Sequence, residues 1–215
     1  MGAVKKADIV AGLRDLGVAA GAGVIVHSSL NSFGRVAGGA KTVVEALVET
    51  ITPTGTLVLP SFNHGAAFGE DGPGYYDPTQ TPTTNGAIPD AFWRMPLVRR
   101  SLNPTHPFAA WGLKADRYTQ AHHKTITMGP ESPLGVLCLG VRTEAYPMRL
   151  PDGRTVEGRT WGWRERACPF TDEERYEDVI RDRGLERVAT IGRSRVTLFK
   201  LQDCFDVLAE IFDAG

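Results

Sequence analysis

The stretch VIVHSSLNSFGRVAGGAKTVVEALVETI, Val24 to Ile51, constrains this chain more than any other. Val24-Ile25-Val26 predicts a short buried strand, because β-branched residues pack well on a pleated surface. The strand runs out in small polar residues, His27-Ser28-Ser29. A loop follows in which Gly34, Gly38 and Gly39 permit tight turns. From about Ala40 the apolar residues Val43, Val44, Leu47, Val48 and Ile51 recur at helical spacing. A strand, a glycine-bearing loop and a helix N-terminus aim backbone N–H groups at one point, which suits a phosphate or an oxyanion. The same geometry also serves as an ordinary strand-to-helix connection. The loop is not G-x-G-x-x-G and lacks the lysine of a phosphate-binding P-loop.

The remaining text extends this unit. Val4 to Leu16 predicts an amphipathic helix ended by Gly17. Thr52-Pro53-Thr54-Gly55 is a turn, and Thr56 to Pro60 a second strand. Helix, strand, helix, strand implies an α/β domain with helical crossovers. Residues 61–86 carry no sustained period and are rich in glycine, proline and threonine, the mark of a functional or mobile loop. Pro89 opens a short helix through Met95. Asn103-Pro104-Thr105-His106-Pro107 is a turn stiffened by its prolines. Phe108 to Trp111 predicts a strand, Lys114 to His122 a helix, and Ser132-Pro133 the start of another. Pro151-Asp152-Gly153 marks a hairpin between Tyr146–Leu150 and Thr155–Gly162. Thr171 with Glu174 forms a capping box for a helix that stops at Gly184. Arg187–Ile191 and Arg195–Phe199 pair as a second hairpin. A last helix is predicted to bury Leu201, Cys204, Phe205, Leu208 and Phe212. The expected architecture is α/β: a single domain, residues 1–215, with a central mixed sheet flanked by helices and a C-terminal hairpin-plus-helix elaboration.

Composition excludes more than it assigns. A length of 215 residues fits one domain, and a net charge of −1 gives no electrostatic reason to expect nucleic acid or an anionic membrane. No apolar run reaches the length of a bilayer span, and the N-terminus lacks a signal-peptide core. Three widely spaced cysteines, Cys138, Cys168 and Cys204, argue for reduced thiols in a cytoplasm. No Cys/His grouping has structural-zinc spacing, so no metal is expected. From Thr42 to Trp93 there are six carboxylates and no lysine or arginine. Such a run could form an acidic wall for a polycation or a merely solvated loop.

Six motifs then follow one another in order: VHSSLNSFGRVAGGAKTVVEAL, TPTGTLVLPSF, YDPTQTP, NGAIPDAFWRMP, RSLNPTHPFAAWG and GPESPLGVL. In that order they resemble the aminoglycoside 3-N-acetyltransferase family, from about Asp8 to Leu137 and more weakly beyond. The resemblance implies acetyl transfer from acetyl-coenzyme A, as cosubstrate, to an amine of a small molecule such as an aminoglycoside. The chemistry needs a held thioester, a polarised carbonyl and an amine relieved of a proton. The resemblance places His27, Ser28, Ser29, Leu30, Phe33, Gly34, Val36, Gly38 and Gly39 along coenzyme A, joined by Ser132 and Leu134. For Phe33 and Val36, core packing is an equal alternative. Asp77, in YDPTQTP, falls on the substrate side. A nucleophilic Ser28 or Ser29 is disfavoured, because V-H-S-S-L lacks the glycines of a G-x-S-x-G elbow.

For the base, His106 leads, held in its stiff turn; the alternative is a turn histidine bonded to backbone. His122 and His123 are expected at the surface, and His64 in the mobile loop. Cys168 has no local partner to activate it, and Trp161 and Trp163 share one face of the first hairpin. Members of the resembled family carry N-T-x-x-H-x-x-E after the SPL helix, whose histidine and glutamate are taken as base and partner. This chain has no such motif; SPLGVL runs directly into CLGVRTEAYP. A segment is therefore expected to be missing between Leu137 and Cys138, with Cα atoms there well beyond the bonded ~3.8 Å. A normal peptide bond would instead mark a deletion variant and an inactive binder of coenzyme A or an amine. The sequence sets no oligomeric state.

Overall fold

The strand, loop and helix expected at the start of the chain are all present. β1 (Gly23–Ile25) leads through a 3-10 turn, Leu30–Phe33, into α2 (Gly39–Ile51), and β2 (Thr56–Pro60) returns parallel to β1. This computed structural model describes residues 2–125, 143–150, 152–161 and 173–213. α1 (Lys6–Asp15) precedes the unit; α3 (Ala87–Trp93), β3 (Arg99–Arg100), β4 (Phe108–Gly112) and α4 (Ala115–Thr119) follow it. The sheet order is β1-β2-β4-β3, with β4 antiparallel to both its neighbours. The architecture is thus α/β with a mixed sheet.

Alternation along the strands divides the sheet's faces. Leu57 and Leu59 of β2 and Ala109 of β4 point into one cluster with Ile9 and Leu13 of α1, Val43, Val44, Leu47 and Ile51 of α2, and Ile88, Phe92 and Trp93 of α3. Each large aliphatic side chain so buried contributes about 1.5–3 kcal/mol. The opposite face carries Phe108, which lies edge-on to Phe62 with ring centroids 5.1 Å apart.

Three helices differ from their sequence boundaries. Val4 is not helical: its N–H donates to Arg35 O at 2.8 Å and its carbonyl accepts Ala37 N–H at 2.9 Å. α1 starts later because the Asp8 carboxylate caps the Lys5 N–H at 2.8 Å. α3 begins at Ala87 and ends at Trp93, with Pro89 still in its first turn, where no hydrogen bond is lost. The helix expected over 114–122 closes at Thr119, and a 3-10 turn, His122–Lys124, completes it.

Two hairpins stand apart from the main sheet: β5 (Thr143–Arg149) with β6 (Thr155–Trp161), and β7 (Arg187–Ile191) with β8 (Ser194–Leu198). Each closes where its glycine signal predicted, with Gly153 and Gly192 at positive φ. α5 (Glu173–Asp182) and α6 (Leu201–Asp213) pack through Ile180, Cys204, Val207 and Leu208. Leu201, expected inside, is 40% exposed at the first position of α6. Val207 fills the core position instead, because it faces Ile180. The Ser132 helix, Cys138, Cys168, Thr171, Trp163, the side chains of Trp161 and Phe212, and the join at Leu137–Cys138 lie outside the described residues.

Candidate active site

The site begins where β1 and β2 part. Their last shared backbone hydrogen bond runs from Val26 N–H to Val58 O at 2.9 Å. Beyond it β1 turns away; Ser28 and Ser61 each stand three residues past the last paired residues, Ile25 and Val58. The hydroxyls of Ser28 and Ser61 are both buried and without a hydrogen-bond partner. The loop that follows holds Gly34, Gly38 and Gly39 at φ +77°, +85° and +65°. Only glycine adopts these angles freely. They carry the chain into the N-terminus of α2, where Thr42 Oγ1 donates to Ala37 O at 2.6 Å.

Of the residues expected along coenzyme A, those from His27 to Gly39 are in this loop or the strand end before it. His27 and Ser29 are exposed, while Leu30 and Val36 are half-buried. Phe33 is buried in the core, the packing role that its sequence left open. Its carbonyl accepts Arg193 N–H from the β7–β8 turn at 3.2 Å. Ser32 and Ser194 share a hydroxyl hydrogen bond of 2.9 Å. Beside them a cavity of about 470 Å³ is lined by Val4, Asp8, Phe33, Arg35 and Arg193, among others. Ser132 and Leu134 lie outside the described residues.

His106 sits where the Asn103 turn puts it. Asn103 Oδ1 accepts the N–H groups of Thr105 and His106 at 3.2 and 2.9 Å. The turn is locked to the β2 side by Asn63 Nδ2, which donates to Pro104 O at 2.8 Å. His106 Nδ1 is hydrogen-bonded to Thr105 Oγ1 at 2.8 Å. Its ring packs 4.8 Å from Phe62 and 5.3 Å from His64. Burial first, then the nearby His64 and His122, push its pKa down to about 3. His106 is therefore a neutral imidazole at physiological pH and a weak proton acceptor. His64 is exposed and bonded to Thr84 Oγ1, with its pKa lowered by partial burial. His122 corrects the sequence reading outright. It is fully buried, with Nδ1 bonded to Ser101 Oγ at 2.8 Å, because Ser101 arrives from beside β3 to satisfy the ring. His123 is exposed, as expected.

Asp77 lies half-buried in the loop after β2. Its Oδ1 accepts both the N–H and the hydroxyl of Thr79, at 2.8 and 2.7 Å. Its own N–H donates to Thr81 Oγ1 at 2.9 Å. Under this loop lies Arg100, which sequence reading did not single out. Arg100 donates to Thr81 O and, at 2.7 Å, to Ser61 O. Its guanidinium packs 4.6 Å from the Trp93 ring and 5.4 Å from that of Tyr76, and its Nε has no partner. Burial lowers the Arg100 pKa, so its charge is held chiefly by carbonyls and ring faces. The run of six carboxylates does not form a continuous wall. Glu49 pairs with Lys6 at 2.9 Å, Asp90 with Arg94 at 3.0 Å and Glu45 with Lys41 at 3.9 Å. Glu70 and Asp71 are exposed. Among the described residues no group of three or more His, Cys, Asp or Glu side chains could hold a metal ion, and no helix is long and apolar enough to cross a membrane.

Comparison with known proteins agrees with this geometry. A family model described as aminoglycoside 3-N-acetyltransferase matches residues 25–141. The aminoglycoside N(3')-acetyltransferase-like protein YokD of Bacillus subtilis is 36% identical, over 96% of this chain and 92% of its own length. That match spans 251 aligned positions against the 215 residues here, so at least 36 of them have no counterpart in this chain. Aminoglycoside N(3)-acetyltransferase IV of Salmonella is 36% identical over 66% of the chain, which spans about half (55%) of that relative's length. The crystal structure of YokD superposes with a TM-score of 0.83 at 25% identity, covering 99% of this chain and 94% of that one. AAC-IIIb, solved as a binary complex with CoASH, shares the fold with a TM-score of 0.82 at 19% identity, covering 99% of this chain and 97% of that one. The chain belongs to the aminoglycoside 3-N-acetyltransferase family and is an acetyl-coenzyme A-dependent N-acetyltransferase.

Proposed function

We propose that residues 1–215 act as one domain that acetylates an amine of an aminoglycoside. The observation that supports this best is the glycine loop of left-handed turns between the parted strand ends and α2. In this reading His27, Ser28, Ser29, Leu30, Phe33, Gly34, Val36, Gly38 and Gly39 line coenzyme A. The exposed Ser29 hydroxyl and the loop N–H groups meet its phosphates. Leu30 and Val36, half-exposed, meet the apolar pantetheine, while Phe33 contributes its backbone and buttresses the loop. Ser132 and Leu134 are proposed to join them. Arg35 and Arg193 at the cavity supply positive charge for the phosphates.

The acceptor is a polycation, and Asp77, with Glu70 and Asp71 nearby in sequence, offers the negative charge that draws it. Acetylation converts an ammonium into a neutral amide, which is how such transfer gives antibiotic resistance. His106 accepts a hydrogen bond from the attacking amine, and exposed His64 beside it relays the proton to solvent. The reduced thiols implied by an odd cysteine count fit the cytoplasm as its location.

Thiol release from acetyl-coenzyme A with a panel of amines tests the reading, alongside calorimetry of coenzyme A. Turnover with aminoglycosides above simple amines supports it. Binding without turnover would mark the chain as an inactive binder. Gly38→Val should weaken coenzyme A binding, since a Cβ there meets Thr42 Oγ1 in a left-handed conformation. Unchanged affinity in the folded variant counts against this site.

A further inference from the structure

We propose that the hydroxyls of Ser61 and Ser28 hydrogen-bond the acetyl carbonyl oxygen of the thioester and stabilise the oxyanion that forms there. The inference rests on acetyl-coenzyme A binding at the β1–α2 loop, and it assigns a role to Ser61 that neither the family motifs nor that loop supplies. Three observations carry it.

Ser28 and Ser61 each lie three residues past the last paired residues of two parallel strands, Ile25 and Val58, where the strands cease to be bonded. In open α/β sheets, the crevice beyond the carboxyl ends of parallel strands is where ligands bind. Alternation from Leu57 and Leu59, both directed into the core cluster, puts Ser61 on the α2 side of the sheet, since its N–H continues the β2–β4 ladder to Pro107 O.

Both hydroxyls are orphans, and Ser61 is fully buried. Buried hydroxyls are normally hydrogen-bonded, so two left without partners at the ends of neighbouring strands are groups that a ligand completes. Serine is suited to this, since its O–H rotates to follow an oxygen that moves as the carbon becomes tetrahedral.

A cation stands behind the pair. Arg100 donates to Ser61 O at 2.7 Å and leaves Nε unpaired. Its charge polarises the Ser61 peptide and favours negative charge at the crevice. The Asp77 loop is bonded to the same guanidinium through Thr81 O. The amine-binding loop is thereby held next to the proposed oxyanion position.

The step balances without any further reactant. The neutral amine nitrogen attacks the thioester carbon, and the C=O π pair moves to oxygen, where the two hydroxyls donate to it. Collapse re-forms C=O and breaks C–S. The leaving thiolate takes up one proton in exchange for the one lost by the amine nitrogen, giving an amide and coenzyme A.

The test uses the whole protein with acetyl-coenzyme A carrying ¹³C at the thioester carbonyl. Isotope-edited infrared difference spectra should show the bound carbonyl band at lower wavenumber in the parent. The shift should shrink in Ser61→Ala and in Ser28→Ala, and return in Ser61→Thr. Ser61→Ala should lower kcat about 100-fold with acetyl-coenzyme A affinity by calorimetry unchanged. Its melting temperature should hold or rise, because the lost hydroxyl had no partner; a structural serine would lower it. An unaltered carbonyl shift in Ser61→Ala with ligand bound overturns the proposal while leaving the binding site standing. A parent that does not bind acetyl-coenzyme A overturns the site reading beneath it. The band reports binding rather than turnover, so it decides even in a chain that binds without reacting.

Discussion

The two ends of this molecule are held together by different means. The N-terminal elements form one four-stranded sheet under a continuous apolar cluster drawn from α1, α2 and α3. The C-terminal elements form two separate two-stranded sheets and a small cluster around Ile180. A lone hairpin is marginal in water, so each must be fixed by what it docks on. The docking sites are the glycine loop after β1 and the loop after β2, the two proposed to bind ligands. The β7–β8 turn grips the first through Arg193 N–H to Phe33 O and Ser194 to Ser32, with Ile191 buried in the main core. β5 grips the acidic loop: Tyr76 N–H donates to Pro147 O at 3.0 Å, and Arg149 N–H to Tyr76 O at 2.7 Å. Met148, between them, is fully buried. The N-terminal sheet thus carries both loops, and each C-terminal hairpin braces one of them.

Acid should separate the two regions most strongly. The folded pKa of His106 is about 3, depressed from 6.5 by burial. Between those values the unfolded chain binds a proton that the folded chain refuses, so stability rises with pH across that window. It is fully present above about pH 6.5 and is lost as pH falls toward 3. A shift of this size corresponds to on the order of 3–5 kcal/mol. Urea unfolding at pH 7 and pH 4 should differ by that order. His106→Gln should flatten the dependence, and a parent whose midpoint is the same at both pH values would refute the assignment.

The braces are separable by substitution. Met148→Ala opens a cavity under Tyr76 and should destabilise by about 2–5 kcal/mol. It should raise KM for the amine and spare coenzyme A affinity. Gly192→Val is its mirror. At φ +64° its Cβ meets Val4 and comes within 2.7 Å of Phe33 O. Strain of about 1–3 kcal/mol is expected, with weaker coenzyme A binding and an unchanged amine KM. If both variants weaken both ligands alike, the loops are not braced independently.

This division was only partly legible in the sequence. The strand, loop and helix at Val24–Ile51 and both hairpin turns were readable, because period and glycine position are local signals. The docking of β5 on Tyr76 was not, since it joins residues more than seventy positions apart with no shared pattern. β3, only Arg99 and Arg100, offers no apolar alternation; β4 alone defines it. His122 looked like surface because its partner Ser101 stands 21 residues upstream. Arg100 and Ser61 lay inside quoted motifs, RSLNP and LPSF, yet only the fold shows one bonded to the other. The acidic run stayed open between wall and solvated loop for the same reason: its partners Lys6, Lys41 and Arg94 lie outside it.

Within the N-terminal region Asp77 gives a smaller, sharper contrast. Its turn depends on Oδ1 accepting from Thr79, which an asparagine carbonyl can also do. Asp77→Asn should therefore keep the loop while removing its charge. KM for a cationic amine should rise about tenfold, as befits one charge-assisted contact, with acetyl-coenzyme A binding unchanged. Kinetics identical to the parent would leave Asp77 as a loop residue only.

The smallest effect should come from the best-formed ion pair of the C-terminal region. Arg183, just past α5, contacts Glu210 of α6 through two hydrogen bonds, at 3.1 and 2.6 Å. Each partner holds the other's pKa toward its charged form, first by the hydrogen bond and then by charge. Both side chains stand in solvent, where water screens the pair and holding two long side chains costs entropy. Ile180, by contrast, is 1% exposed and packs with Cys204, Val207 and Leu208. If burial joins these helices, Arg183→Gln should leave the melting temperature within error at low and high salt. Ile180→Ala should lower it by an amount equivalent to about 2–5 kcal/mol. A salt-dependent loss in Arg183→Gln as large as that in Ile180→Ala would reverse the order and make charge, not packing, the link between α5 and α6.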